Sequence, residues 1–475
     1  MTVIPDVLAS RYASTDMVEL WSPEAKVVLE RRLWLAVLRA QRDLGVEVPD
    51  GVIEAYEAVV DTVDLASIEM RERVTRHDVK ARIEEFSALA GHEHIHKGMT
   101  SRDVTENVEQ LQIRRSLALV RDRMVAALVR LARRAADHAA LAVVGRSHNV
   151  PAQVTTLGKR FASAGEELFV ALARVDDLLG RYPLRGVTGP MGTAQDQLDL
   201  LGGDPAKLAA LQDGVARYLG FEHSLGSTGQ IYPRSLDLDV VAALVQAAAA
   251  PSSLATTLRL MAGHELVTEG FAAGQVGSSA MPHKMNARTC ERINGLAIVL
   301  SGQLTMVSGV SGHQWNEGDV SDSVVRRVAL PGAFFAADGL YQAFLTVLDE
   351  LAPFGKVIED ELAWQLPYLA STKILLAAVR AGAGRETAHR AIQEHMIDAA
   401  RFWREERQGS SDDLLESLAG DERLGLSYHD LKAIIHDPLT FTGAAAQQVA
   451  AFVARVDDLA RRFPDAASYN PQPIL

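Results

Sequence analysis

The stretch that decides the fold runs from Asp103 to Ala135, DVTENVEQLQIRRSLALVRDRMVAALVRLARRA. Val104, Val108 and Leu111, then Leu117, Val120, Met124, Leu128, Leu131 and Ala135, recur at helical spacing and form one apolar stripe. The run far exceeds the ~8 to 20 residues of an ordinary globular helix. A helix of this length belongs in a long bundle, where its stripe is buried against neighbours.

Similar patterns run from Leu157 to Leu179, from Leu236 to Glu269 with a kink expected at Pro251, from Thr289 to Val310, and from Pro331 to Leu351. Ala, Leu, Arg and Glu dominate, the strand signal is almost absent, and the expected fold class is all-α. Boundaries are suggested by the Gly91 to Gly98 stretch with its three histidines and by Ala352-Pro353-Phe354-Gly355. These divide the chain into a helical part at 1–102, a central bundle at 103–352 and a C-terminal helical part at 353–475. Long helices with a spare apolar stripe usually complete their burial in a closed symmetric assembly.

The 475 residues, 48% hydrophobic and 23% charged, suffice for two or three domains with a large core. No run of about 18 uncharged apolar residues occurs. Met1 to Leu20 carries Asp6, Arg11, Asp16 and Glu19 where a signal peptide would be apolar, so a soluble cytoplasmic protein is expected. Cys290 is the single cysteine, which excludes an internal disulfide and reads as a small apolar filler on a helix. A net charge of −13 opposes nonspecific nucleic-acid binding, so an anionic substrate would need local arginines and lysines.

Three segments carry chemistry. Gly277-Ser278-Ser279-Ala280-Met281-Pro282-His283-Lys284-Met285-Asn286 sets hydroxyls, an imidazole, a lysine and an amide on one loop flanked by Gly274 and Gly277. Gly145-Arg146-Ser147-His148-Asn149-Val150-Pro151-Ala152-Gln153 reads as a polar break between two helices, with Pro151 in the first turn of the second. His96-Lys97-Gly98-Met99-Thr100-Ser101-Arg102-Asp103 leads into the long helix, and Thr100 with Asp103 makes a capping-box-like pair. Free amides and hydroxyls at a helix start suit a dicarboxylate. Upstream, Arg76-His77-Asp78-Val79-Lys80 opens another helix, where a cap with a salt bridge is the plain structural alternative. His92, His94 and His96 alternate, which shares a face only on a strand, and no cysteine or carboxylate cluster completes a metal site.

The string Ser-Ser-x-Met-Pro-x-Lys-x-Asn resembles the signature loop of the fumarase/aspartase superfamily, lyases that release fumarate. With the other segments in order and spacing, the chain resembles the adenylosuccinate lyases from Ser10-Arg11-Tyr12-Ala13-Ser14 to Asp437-Pro438-Leu439-Thr440-Phe441-Thr442-Gly443. The resemblance implies β-elimination of fumarate from adenylosuccinate, giving AMP, and from the succinylated carboxamide intermediate of purine synthesis. It also implies no metal or organic cofactor, a small nucleotide substrate, and three helical domains. The central bundle would associate into a homotetrameric twenty-helix core, with each active site drawn from three subunits.

By the same resemblance Ser278 matches the catalytic base, with Ser279 beside it as an oxyanion or carboxylate contact. His148 matches the general acid and Glu291 its paired carboxylate. His77 matches a substrate-binding histidine, with Arg76 and Asp78 in the same set, and His96, Thr100 and Ser101 match the succinyl-binding region. Lys284 and Asn286 match carboxylate ligands and Gln230 a substrate-amide contact. Arg11, Tyr12, Arg288, Ser323 and Arg327 match the nucleotide side.

The chemistry demands such a set. Breaking a C–N bond β to a carboxylate requires removal of a weakly acidic carbon proton, stabilisation of the aci-carboxylate, and protonation of the departing nitrogen. A serine alkoxide needs nearby positive charge and exclusion of water, which Lys284 and a closing loop would provide. A histidine beside a carboxylate is biased towards its charged, donating form. Two departures from the family pattern stand out. Ala287 follows Asn286 where many relatives have proline, and Gly318 follows Trp315-Asn316-Glu317 where many have arginine, leaving Arg326 or Arg327 to compensate. The alternatives are another fumarate-releasing lyase, a carboxymuconate-type cycloisomerase, or a catalytically silent helical scaffold.

Overall fold

The computed structural model of the chain describes residues 4–270, 280, 281, 283–406 and 410–473. Twenty α-helices stand among them against four short strands, which makes the fold all-α as expected. The long stripe forms one 37-residue helix, Ser101–Asp137, opened by the capping box: the Thr100 N–H donates to Asp103 Oδ2 at 2.7 Å. Val104, Val108, Leu117, Val120, Met124, Leu128 and Leu131 are all fully buried, each contributing about 1.5–3 kcal/mol of apolar burial.

Four further long helices, Leu157–Arg181, Ser235–Gly263, Arg288–Val310 and Ser323–Glu350, pack with it around the principal core. The helix Ser235–Gly263 runs unbroken past Pro251. Ser323–Glu350 begins eight residues before the expected start at Pro331, because Arg326 in its second half-turn is held by buried carboxylates of neighbouring helices.

By length and composition, Ser235–Gly263, Arg288–Val310 and Ser323–Glu350 would each suffice to cross a membrane. Their Ser, Thr and Gln residues interrupt any uncharged apolar run in the sequence, yet their helix-wide hydropathy is high. Ser323–Glu350 is almost wholly enclosed by the bundle, whereas Arg288–Val310 leaves Ile298 73% exposed and Val299 beside it. An apolar face of that kind is left for another surface.

The polar break around His148 is a β-hairpin rather than a simple joint between helices. Ala142–Ser147 pairs antiparallel with Val150–Thr156, and His148 and Asn149 form the two-residue turn with φ of 50° and 61°. Two left-handed central residues give a type I′ turn, which matches the twist of the strands. Pro151 therefore lies in the second strand, and the next helix starts at Leu157. The hairpin's Val144 and Val154 join a second apolar core built from Leu362 to Phe441, while Ala445–Arg462 returns to the principal core through Val449, Phe452, Val456 and Leu459.

Candidate active site

A polar stripe on Ser101–Asp137 organises the site from inside. Asp103, Glu106, Asn107 and Gln110 stand at i, i+3, i+4 and i+7 and are fully buried. Such groups persist in a core only when paired. Asp103 Oδ1 accepts from Arg185 Nη1 at 2.7 Å and from the N–H groups of Thr188 and Gly189 at 3.0 Å. The Asn107 side chain exchanges two hydrogen bonds with the Gly186 backbone, and Gln110 accepts from the Arg185 N–H and donates to the Pro183 carbonyl.

Glu106 takes both terminal nitrogens of Arg234, at 2.7 and 3.0 Å, and Arg234 also pairs with Asp322. Burial is the largest influence and works against the Arg234 charge, but the charge and hydrogen bonds of Glu106 together with Tyr232 leave its pKa raised. Arg326 meets Glu109 and Asp237, each at 2.7 Å, and the Tyr232 hydroxyl. This ladder fixes the segments around 185, 230 and 322 to one face of the long helix. Arg326 is thereby committed and 2% exposed, so it does not replace an arginine at position 318; Arg327 is exposed.

At the head of the stripe, His77 caps the helix Asp78–Ala90, its Nδ1 accepting the Lys80 N–H at 3.2 Å. Its Nε2 lies 3.2 Å from Ser101 Oγ, which brings together two residues 24 positions apart. His96 has a positive φ of 65°, and its Nδ1 accepts from Trp34 Nε1 at 3.1 Å. Burial lowers its pKa, with Asp103 pulling the other way, so the neutral ring is favoured. Arg76 ends the preceding helix in a left-handed conformation, and Asp78 pairs with Arg82 at 2.8 Å, so the cap and salt bridge expected on structural grounds are both present.

Gln230 follows Gly229, whose carbonyl accepts from Arg185, and the Gln230 N–H donates to the Glu317 carbonyl at 2.5 Å. The approach is so close that a Cβ on Gly229 would lie 2.0 Å from that carbonyl oxygen, and one on Gly318 would lie 2.7 Å from Gln230 Cβ. Ser323 and Arg327 start the helix that Asp322 ties to Arg234. Arg11 and Tyr12 sit further along the same helix: Tyr12 packs over Gly339, and the Ser14 N–H donates to Asp338. At 1.5 Å per residue, Gly339 is roughly 18 Å from Arg327.

A second group lines a cleft of about 840 Å³: Lys284, Asn286 and Glu291, with His283 and Arg259. Glu291 lies 3.9 Å from an Arg259 terminal nitrogen, and Arg288 is exposed at the start of Arg288–Val310. Ser278 and Ser279 lie outside the described residues. His148, at the exposed hairpin tip, shares no hydrogen bond or ion pair with Glu291 or His77 among the described residues. Those of the expected residues that are described thus stand on one chain as separate groups. Cys290 is buried, its thiol pKa pushed up by burial and by Glu269, which fits a filler. Among the described residues no group of three His, Cys, Asp or Glu side chains is placed to hold a metal.

Residues 19–302 match a lyase family model, and residues 367–452 match the adenylosuccinate lyase C-terminus. Two solved structures share the fold. A 3-carboxy-cis,cis-muconate lactonizing enzyme from Pseudomonas putida superposes with a TM-score of 0.82 at 19% identity, covering 96% of this chain and 100% of that one. A fumarate lyase from Mesorhizobium sp. BNC1 gives 0.78 at 21% identity, covering 95% and 100%. Bundle, hairpin and lyase match define a carbon–nitrogen lyase of the fumarase/aspartase superfamily.

The adenylosuccinate lyase of Saccharomyces cerevisiae is 36% identical over 455 residues, 94% of this chain and 93% of that protein. That of Schistosoma mansoni is 32% identical over 469 residues, 98% and 97%. The chain belongs to the adenylosuccinate lyase family.

Proposed function

We propose that this adenylosuccinate lyase releases fumarate from both adenylosuccinate and the succinylaminoimidazole carboxamide ribotide, in active sites completed only on assembly. Ser278 removes the carbon proton, Lys284 and Asn286 hold the developing aci-carboxylate with Ser279, and His148 gives its proton to the departing nitrogen. Glu291 of a neighbouring subunit keeps that histidine charged. His77, Ser101, Thr100 and His96 bind the succinyl part, Gln230 the substrate amide, and Arg11, Tyr12, Arg288, Ser323 and Arg327 the nucleotide.

The observation that carries the shared site is the separation just described: His148 stands on an exposed turn, while Glu291 lines a cleft with Arg259 as its cation. General acid and carboxylate serve one reaction only within hydrogen-bond reach. Five long helices per chain would make twenty in a homotetramer, and the apolar surface of Arg288–Val310 supports that burial. The division is read at 1–102, 103–352 and 353–475; the separate apolar core from Leu362 to Phe441 supports only a distinct C-terminal helical part. The reading is of a soluble, cytoplasmic enzyme that needs no cofactor.

The test is release of fumarate, followed by absorbance, from adenylosuccinate, the carboxamide ribotide, argininosuccinate and malate. Turnover of the first two alone is expected. Turnover of adenylosuccinate without the ribotide would refute the dual-substrate reading.

A further inference from the structure

We propose that Arg82 and Glu30 are positioning residues for His77, setting its imidazole through Asp78 from beneath the helix that His77 caps. This builds on the reading that His77 touches substrate. Arg82 lies one turn after Asp78, and its side chain is 12% exposed. Its Nη2 donates to Asp78 Oδ2 at 2.8 Å, and its Nε lies 2.7 Å from Glu30 Oε2, on the facing helix Pro23–Asp43.

Asp78 spends its other oxygen on the Val79 N–H at 2.8 Å, and that oxygen is 3.8 Å from His77 Nδ1. Because Nδ1 accepts the Lys80 N–H, the neutral imidazole carries its hydrogen on Nε2 and presents it towards Ser101. The tautomer that faces the site is thus set by the helix cap. The cap in turn depends on where Asp78 holds the first turn.

Glu30 has no structural task that competes with this one. Its side chain is fully buried, and neither oxygen accepts a well-aligned hydrogen bond from a described residue. The neighbouring Arg31 is bound by both oxygens of Glu85, at 2.6 and 2.8 Å, which leaves Arg82 as the cation against Glu30. A buried carboxylate with one cation in contact, Lys26 and Arg31 acting only from further off, is a costly way to stabilise a helix interface. It is an effective way to fix a guanidinium, which here faces Glu30 with Nε and Asp78 with Nη2.

The experiment is a double-mutant cycle on kcat/KM for adenylosuccinate, using assembled wild type, Arg82→Ala, His77→Ala and the double variant. Arg82→Ala is expected to lower kcat/KM about tenfold, the loss of one charge-assisted contact, mainly through KM. In the His77→Ala background the same change should cost less than about twofold, since nothing remains to be positioned. Arg82→Lys should restore part of the loss, and Glu30→Gln should move in the same direction by a smaller factor; both serve if Arg82→Ala fails to assemble. Equal losses in both backgrounds would overturn the proposal.

A His77→Ala protein with wild-type kcat/KM would instead overturn the substrate-contact reading. Positioning is then decided by the nitrogen-15 resonances of labelled His77. Nδ1 should be unprotonated in wild type, with that preference lost in Arg82→Ala, and an unchanged tautomer would overturn it.

Discussion

Gly318→Ala places one methyl group where the structure has no room for it. The new Cβ would lie 2.7 Å from Gln230 Cβ and 3.1 Å from Gln230 Oε1. Carbon atoms in good contact sit about 3.5–4.0 Å apart, so something must yield by roughly 1 Å. The backbone cannot easily do so. Gln230 is bonded to the Glu317 carbonyl, Gly229 already abuts that carbonyl, and the flanking segments are pinned by Arg234 to Glu106 and Asp322.

Rotation of the Gln230 side chain relieves the Oε1 contact but not the one at Cβ, so the Gln230 backbone must shift as well, with an overpacking cost of about 1–3 kcal/mol. If about half of this appears as lost substrate contact, KM for adenylosuccinate should rise roughly 2- to 13-fold while kcat changes less than about threefold. The assay is fumarate release under initial-rate conditions, with thermal inactivation of the assembled protein measured alongside. Gly318→Arg should do no better than alanine, because the clash begins at Cβ. Wild-type KM and stability in Gly318→Ala would refute this account of Gly318.

Three further outcomes are expected. Arg326→Met leaves the Glu109 and Asp237 carboxylates buried without their cation and should destabilise the fold by about 3–5 kcal/mol in urea unfolding at fixed protein concentration; a loss below about 1 kcal/mol would show the ladder to be dispensable. Burial pushes the Glu30 carboxyl up from 4.5 to about 7 against the pull of Arg82, Lys26 and Arg31, with Asp78 adding to the rise. Between those values the folded chain holds a proton that the unfolded chain releases, so stability from this group is full below pH 4.5 and is lost as pH rises through 7. Glu30→Gln should remove that slope, gaining up to about 3 kcal/mol on wild type from pH 5 to 8; parallel stability curves would refute it. Finally, inactive His148→Ala and Ser278→Ala proteins, mixed equally and reassembled at random, should recover about a quarter of wild-type activity, and no recovery after verified subunit exchange would place both groups of each site on one chain.

Much of this molecule is decided by local order in the chain. The spacing of Val104 to Ala135 determines a long helix, Thr100 and Asp103 determine where it starts, and the string from Gly277 to Asn286 carries the family resemblance. The hairpin was partly legible as well. Val143, Val144, Val150, Val154, Thr155 and Thr156 are strand formers around a His-Asn turn, but the proline and the flanking helices masked them.

Tertiary structure alone decided that Asp103, Glu106, Asn107 and Gln110 face inward. They share the helical period of an exposed polar face, and their partners Arg185 and Arg234 lie 82 and 128 positions from Asp103 and Glu106. It also decided that Gly318 is needed for contact with Gln230, and that Arg326 is spent inside the bundle while Arg327 stays outside. Periodicity and capping are short-range and can be read from neighbours in sequence. Whether a charge is buried, and what pays for burying it, depends on which distant segments the packed helices bring against it.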